Sequence, residues 1–247
     1  MNRRIIGERV DLDYRNIQNF FDMRGENKQL GNKYNYVLYQ DDCPELALKR
    51  DIQEKEKISR ILTWENGQRV LDIGCGIGRW GEYLLENGLY YVGIDGSSKM
   101  IERAKDNLRN YTGKKLIVGV FQEFLSCLEE DDEAIPFDKI FVNGVFMYLN
   151  DKDYAQALKD IHSMCAQHCE LYVKESMGIE RRLTLNQIYS ESLAQHYSAI
   201  YRSIEEYRKT LTKEFANDFT LADEGQLFEE ELTNRTETVD YYFVWKC

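Results

Sequence analysis

Between Val70 and Trp80 the chain reads Val-Leu-Asp-Ile-Gly-Cys-Gly-Ile-Gly-Arg-Trp, an apolar run that stops at three glycines spaced two apart. An apolar run of this length bounded by glycine reads as a buried strand. Glycines directly after a strand allow a tight turn and let a ligand come close to the backbone. The amide groups of such a turn, with the N-terminus of a following helix, favour anionic ligand groups. A second strand, LYYVGID, ends in Asp95, 21 residues after Gly74. A carboxylate there can accept hydrogen bonds from both hydroxyls of a ribose. Strand, glycine turn, helix, strand and acid together describe a site for a nucleoside-type ligand.

Around this unit strands and helices alternate. Residues 45–63 and Trp80 to Asn87 read as helices, and Ser97 or Ser98 is placed to cap the helix SKMIERAKDNLRN. KLIVGVF, FDKIFVNGV and CELYVKES read as the third, fourth and fifth strands, with helices within 151–167. That alternation predicts an α/β fold with a doubly wound, mostly parallel seven-stranded sheet. After the fifth strand, 180–212 reads as a long helical stretch, because Tyr197, Ile200, Ile204, Tyr207 and Leu211 recur every three or four residues. The tail FEEELTNRTETVDYYFVWKC reads as a turn and an aromatic strand. With two prolines and no Gly/Ser-rich linker, 1–247 is expected to be one domain. Residues 1–45 would form an N-terminal cap segment and 177–215 a helical lid insertion over the carboxyl edge of the sheet, where ligands of open α/β sheets bind.

Charge narrows the partners. The formal net charge is −11, and nucleic-acid backbones demand clustered Lys and Arg, so nucleic acid is not the expected partner. No apolar run approaches the ~20 residues of a membrane helix. The opening MNRRIIGERVDLD has no apolar stretch of the secretory type. The expectation is a cytoplasmic protein, monomeric or homodimeric. The six cysteines form no CxxC pair, as suits free thiols in a reducing compartment. His162, Cys165, His168 and Cys169 are the one metal-like grouping in the sequence, and helical packing accounts for their spacing, so no metal is expected.

Gly76-x-Gly78-x-x-Gly81 also matches the dinucleotide fingerprint, a string that by itself is weak evidence. The glycines, however, begin at Gly74, with Asp72 still inside the strand. LDIGCGIG followed by YVGID resembles the class I S-adenosylmethionine-dependent methyltransferases, over about residues 55–175 and more loosely to the last strand. The resemblance implies a Rossmann-like fold with S-adenosylmethionine as cofactor and S-adenosylhomocysteine as product. It implies that Asp72 organises the glycine loop and approaches the cofactor's amino group. Gly74, Cys75, Gly76 and Gly78 would lie beside the methionine part and ribose, and Asp95 would be the ribose acid. Gly96, Ser97 and Met100 would border the adenine, with Gln122, Glu123 and Phe124 near its amino group. Asn143 would line the passage between sulfonium and acceptor.

A sulfonium methyl is already activated, so placement of the nucleophile and exclusion of water are the main tasks. An amine needs only to lose a proton, whereas a hydroxyl needs a positioned base. No histidine follows the fourth strand; Tyr148 stands there, and Glu175 ends the fifth strand, placed to accept hydrogen bonds from an amine. Asn143, Tyr148 and Glu175 are therefore the catalytic candidates. Arg forks with tyrosines suit a small substrate carrying phosphate or carboxylate, so Tyr14, Arg15, Arg24, Arg181, Arg182, Tyr197 and Tyr201 are the substrate-binding candidates. IGERVDLDYRNI, YNYVLYQD and VKESMG resemble small-molecule methyltransferases of bacterial capsule and natural-product clusters. The expected activity is methyl transfer to a nitrogen, or next an oxygen, of a small polar metabolite. An RNA or protein methyltransferase and a non-catalytic cofactor-binding protein are the alternatives.

Overall fold

The computed structural model describes residues 3–120, 124–129 and 136–247. Its elements in chain order begin with β1 (Arg3–Ile6), α1 (Tyr14–Glu26), α2 (Asn35–Leu38) and α3 (Pro44–Ile58). β2 (Arg69–Ile73), α4 (Arg79–Glu86), β3 (Tyr90–Asp95), α5 (Ser98–Asn107) and β4 (Lys114–Val118) follow. Next come α6 (Phe124–Glu129), β5 (Phe137–Asn143), α7 (Asp151–Ser163) and β6 (Cys165–Gly178). The last are β7 (Leu183–Ser190), β8 (Gln195–Tyr201), α8 (Ile204–Phe215), β9 (Thr220–Gln226) and β10 (Thr238–Lys246).

Seven strands form one sheet in the order β4-β3-β2-β5-β6-β10-β9. The first five are mutually parallel, and β10 alone is reversed, antiparallel to both its neighbours β6 and β9, so the α/β, mostly parallel seven-stranded expectation holds. Both faces are covered, because successive strand side chains point to opposite sides. Leu71 and Ile73 pack with Val142, Tyr207 and Phe215 on the face of α7 and α8. Val70 packs with Ile58, Trp80, Leu84 and Phe141 on the face of α3 and α4. The order places the carboxyl ends of β2 and β5 side by side with their following helices on opposite faces, which opens a crevice at that edge.

The expectation of a helical stretch over 180–212, and of a helical lid over 177–215, is corrected. Residues 183–201 are β7 and β8, which join β1 in a separate antiparallel sheet of order β1-β7-β8. Helix begins only at Ile204, after Ser203, whose side chain and that of Glu206 form a reciprocal capping box. The three-four spacing thus spans a strand end and a helix start. Tyr197, Ala199 and Tyr201 alternate toward Phe20, Met147 and Tyr148, a period of two. Cys165 and Cys169 likewise lie on β6, past the end of α7, rather than on a shared helix with His162. No helix among the described residues is long and apolar enough to cross a membrane.

Candidate active site

A cavity of about 440 Å³ opens at the carboxyl ends of β2, β3, β5 and β6, and Tyr14, Gln18 and Phe21 of α1 cover it. Its floor is the glycine turn. Gly74 and Gly76 take φ of +70° and +54°, and an added Cβ at Gly76 would stand 2.6 Å from Val37 Cγ1. Only glycine meets both demands without strain. The Gly74 and Cys75 amides donate to the Ile94 carbonyl (2.8 and 3.0 Å), which locks the turn to β3. Gly78, with φ +72°, starts α4 but does not line the cavity.

Asp95 ends β3 against this turn. Its Oδ2 accepts the Gly76 amide and its Oδ1 the Ser97 amide, both at 2.8 Å. Burial pushes its pKa up to about 6, against the lowering effect of the two amides. Ser97 caps α5 through the Met100 amide and donates to Asp22 of α1. Gln18 donates to the Gly96 carbonyl at 2.9 Å, a second tie from α1 to this corner. Asp72, on β2, accepts the Tyr91 hydroxyl at 2.8 Å, and burial pushes its pKa up to about 7. Asp72, Gly74, Cys75, Gly76, Asp95, Gly96, Ser97, Met100, Phe124 and Asn143 are brought together on the cavity wall. Gln122 and Glu123 lie outside the described residues.

Asn143, at the carboxyl end of β5, lines the cavity with both polar side-chain atoms buried and without a hydrogen-bond partner. An unpaired buried amide costs about 1–3 kcal/mol, so a ligand that pairs it recovers that cost. The glycine cradle, the buried acid of Asp95 and this orphaned amide share one cavity, which fits a nucleoside cofactor.

The catalytic assignment of Glu175 is corrected: its carboxylate does not reach the cavity. It is fully buried beneath the turn after β5, with Oε1 accepting the Val145 and Phe146 amides (2.8 and 2.9 Å) and Oε2 that of Met147 (3.1 Å). Burial pushes its pKa up to about 7 despite these amides. It positions a segment whose Val145, Met147 and Tyr148 do line the cavity. The Tyr148 and Tyr197 hydroxyls meet at 2.8 Å on the wall, with Tyr39 at 3.5 Å from Tyr148.

Of the substrate-binding candidates, Tyr14, Arg15 and Tyr197 line this cavity, whereas Tyr201 lines a neighbouring one. The arginine assignments fail at three positions because each charge is engaged elsewhere or faces solvent. Arg24 is buried against Asp41 and the Tyr36 carbonyl. Arg182 pairs with Asp151 and Glu206, and Arg181 is exposed outside the cavity. Besides Arg15, the cations that line it are Arg79, which is paired with Asp51 and Glu54, and a group formed by Lys174, Arg50 and Arg235 with Asp240 and Ser176. Arg50 and Arg235 sit in charged stretches with no motif, so no local signal distinguishes them. His162 contacts Glu214 and Asp218 at 3.2 Å each. Among the described residues no three His, Cys, Asp or Glu side chains are grouped to hold a metal ion.

A family model described as a methyltransferase domain matches residues 71–171. The chain is 27% identical over 170 residues to an uncharacterized methyltransferase of Oceanobacillus iheyensis, covering 63% of this chain and 76% of the relative. It is 32% identical over 102 residues to phosphoethanolamine N-methyltransferase of Triticum aestivum, covering 41% of this chain and 19% of the relative. Among solved structures it is similar to Haemonchus contortus phosphoethanolamine N-methyltransferase 1 in complex with phosphoethanolamine and S-adenosylhomocysteine. That likeness has a TM-score of 0.69 and 16% identity and covers 92% of this chain. The chain spans 47% of that nematode chain and about a fifth of the wheat protein. At this identity the structural likeness is one of fold.

Proposed function

We propose that the chain is a class I S-adenosylmethionine-dependent methyltransferase that moves a methyl group from S-adenosylmethionine to a nitrogen of a small polar metabolite. The observation that carries this reading is the convergence of the glycine turn, Asp95 and the unpaired Asn143 amide on one enclosed cavity. The bound cofactor would supply a methyl group already activated on a sulfonium. In this reading Asp95 keeps a free lone pair on each oxygen for ribose hydroxyls, while its other contacts hold the carboxylate in place. Gly74 and Gly76 admit the cofactor's chain close to the backbone, and Asp72 faces its amino group. Asn143 offers one donor and one acceptor between cofactor and acceptor molecule. Tyr39, Tyr148, Tyr197 and Phe21 exclude water around the acceptor, which favours in-line placement.

Two observations support nitrogen over oxygen. No histidine lines the cavity among the described residues, and of its three carboxylates Asp95 and Asp240 are already held by amides and cations. An amine that loses its proton to solvent needs no dedicated base, unlike a hydroxyl. The names of the wheat and nematode relatives are also those of N-methyltransferases. Calorimetric titration with S-adenosylhomocysteine, in parallel with NAD(P)H, tests the cofactor. Transfer of labelled methyl from S-adenosylmethionine to a panel of small amines and matched alcohols tests the acceptor. Binding of the nicotinamide alone refutes the whole reading, and labelling of alcohols alone refutes the nitrogen.

A further inference from the structure

At the end of the cavity formed by β6, β10 and the loop before β10, three cations surround one carboxylate. Lys174 Nζ lies 3.0 Å from Asp240 and Arg50 Nη1 3.9 Å from it. Arg235 Nη1 donates to Ser176 Oγ at 3.2 Å, and Ser176 Oγ donates to Asp240 Oδ1 at 2.8 Å. All five residues line the cavity. Their placement is long-range: Arg50 comes from α3, Lys174 and Ser176 from β6, and Asp240 from β10, where it is in register with Ser176. Arg50 is held by the Leu232 carbonyl and the Asn234 side chain, so its guanidinium does not need a ligand to keep its position.

We infer that this cluster is a subsite for a dianionic phosphate monoester carried by the methyl acceptor. The inference rests on the methyltransferase reading and names the substrate class for that same cavity. Charge balance carries it. Lys174 and Arg50 are 11% and 4% exposed at their side chains, and the cluster holds two positive charges beyond what Asp240 neutralises. Uncompensated buried charge is costly, and pairing removes that cost. A carboxylate ligand would cancel one of the two charges, and a phosphate dianion both. Phosphate also presents three acceptor oxygens, which suit a lysine point charge beside an arginine fork. Burial would raise the Asp240 pKa, yet Lys174, Arg235 and Arg50 outweigh it and hold the carboxyl well below its ordinary range. The cations therefore already exert a strong field on an anion at this point.

The test uses inorganic phosphate as probe. It is titrated calorimetrically at pH 8 into the protein saturated with S-adenosylhomocysteine, with acetate as the monoanion control. Phosphate binding is expected, with acetate weaker by roughly tenfold or more. Lys174→Met and Arg235→Met should each weaken phosphate roughly tenfold or more, the loss of a charge-assisted contact, while S-adenosylhomocysteine affinity holds. Asp240→Asn should instead tighten phosphate, because it removes the competing carboxylate; a merely structural role for Asp240 predicts no tightening. Normal S-adenosylhomocysteine binding without any phosphate binding overturns the subsite and leaves the methyltransferase reading standing. Parallel loss of S-adenosylhomocysteine and phosphate affinity in both cation variants also overturns it, since the cluster would then hold the cofactor's own carboxylate. Failure of the wild-type protein to bind S-adenosylhomocysteine overturns the parent reading and the subsite with it.

Discussion

Glu175→Gln isolates the energetic role of a buried carboxylate beneath the cavity. The carboxylate accepts three backbone amides from consecutive residues, two on Oε1 and one on Oε2. A glutamine oxygen can keep the Val145 and Phe146 amides, but its NH2 group cannot accept the Met147 amide, which is left buried and unpaired at a cost of about 1–3 kcal/mol. A protonated glutamate avoids this, because its hydroxyl oxygen still accepts. Below about pH 7, where folded Glu175 holds its proton, the variant is therefore the less stable protein. The pKa rises from 4.5 unfolded to about 7 folded. Between these values the folded state binds a proton that the unfolded state has released, so wild-type stability falls as pH rises through the window. At 1.36 kcal/mol per unit the full fall is roughly 3 kcal/mol. Glutamine does not titrate. Asp72 and Asp95, also raised by burial, are common to both proteins and cancel in the difference. Urea unfolding of both at pH 5, 6, 7 and 8 should show the stability gap close, or reverse, toward pH 8. A gap that is constant or widens with pH refutes the reasoning.

Three further outcomes follow from the cavity. Asp95→Ala should weaken S-adenosylhomocysteine binding by about 1–3 kcal/mol, and wild-type affinity should begin to fall below about pH 7 as Asp72 takes up its proton and fall further below about pH 6 as Asp95 does; calorimetry giving unchanged affinity in the variant, or a variant profile that keeps the further fall below about pH 6, removes Asp95 from the ribose site. Asn143→Leu should stabilise the ligand-free protein by about 1 kcal/mol, by removing two unpaired buried atoms, while weakening S-adenosylhomocysteine binding. Equal affinity in that variant would show that the ligand does not use the amide. Gly76→Ala should cost about 1–2 kcal/mol of stability, since φ is +54° and the new Cβ meets Val37. Thermal melting that matches wild type would contradict the positive φ and close packing of the turn at Gly76.

The cofactor side of the cavity was legible in the sequence because its residues are contiguous. Asp72 to Gly76 and Asp95 to Ser97 lie in two short segments, and β2 and β3 pair directly in parallel register. Glycine spacing and a strand-end acid therefore carry geometry as well as identity. Residues 195–211 were misread for the opposite reason. The apolar spacing is satisfied jointly by the end of β8 and the start of α8. The signal that separates them is Ser203-x-x-Glu206, a capping box that marks a helix start. With it, the β-branched and aromatic residues before Ser203 read as strand.

Glu175 shows a subtler division. The sequence reading ends the fifth strand at Glu175, whereas β6 runs on to Gly178, and the packing of the turn after β5 on this strand decides that the side chain meets the Val145, Phe146 and Met147 amides. The arginines show the same limit. Arg24 and Arg182 read from the sequence as forks for an anionic substrate, yet each has a carboxylate partner from another element: Asp41 for Arg24, and Asp151 and Glu206 for Arg182. Arg50, Lys174, Arg235 and Asp240 meet only when the sheet closes and α3 packs across it.

By itself, then, the sequence determined the alternating fold, the glycine turn and the acid that faces it, because local chain geometry and short-range pairing decide all three. The tertiary structure alone decided which charges face the cavity. An arginine's role depends on which acid packs against it, and those acids come from other elements, near in the chain for Arg24 and Arg182 but far from it for Arg50, which meets Asp240 of the last strand.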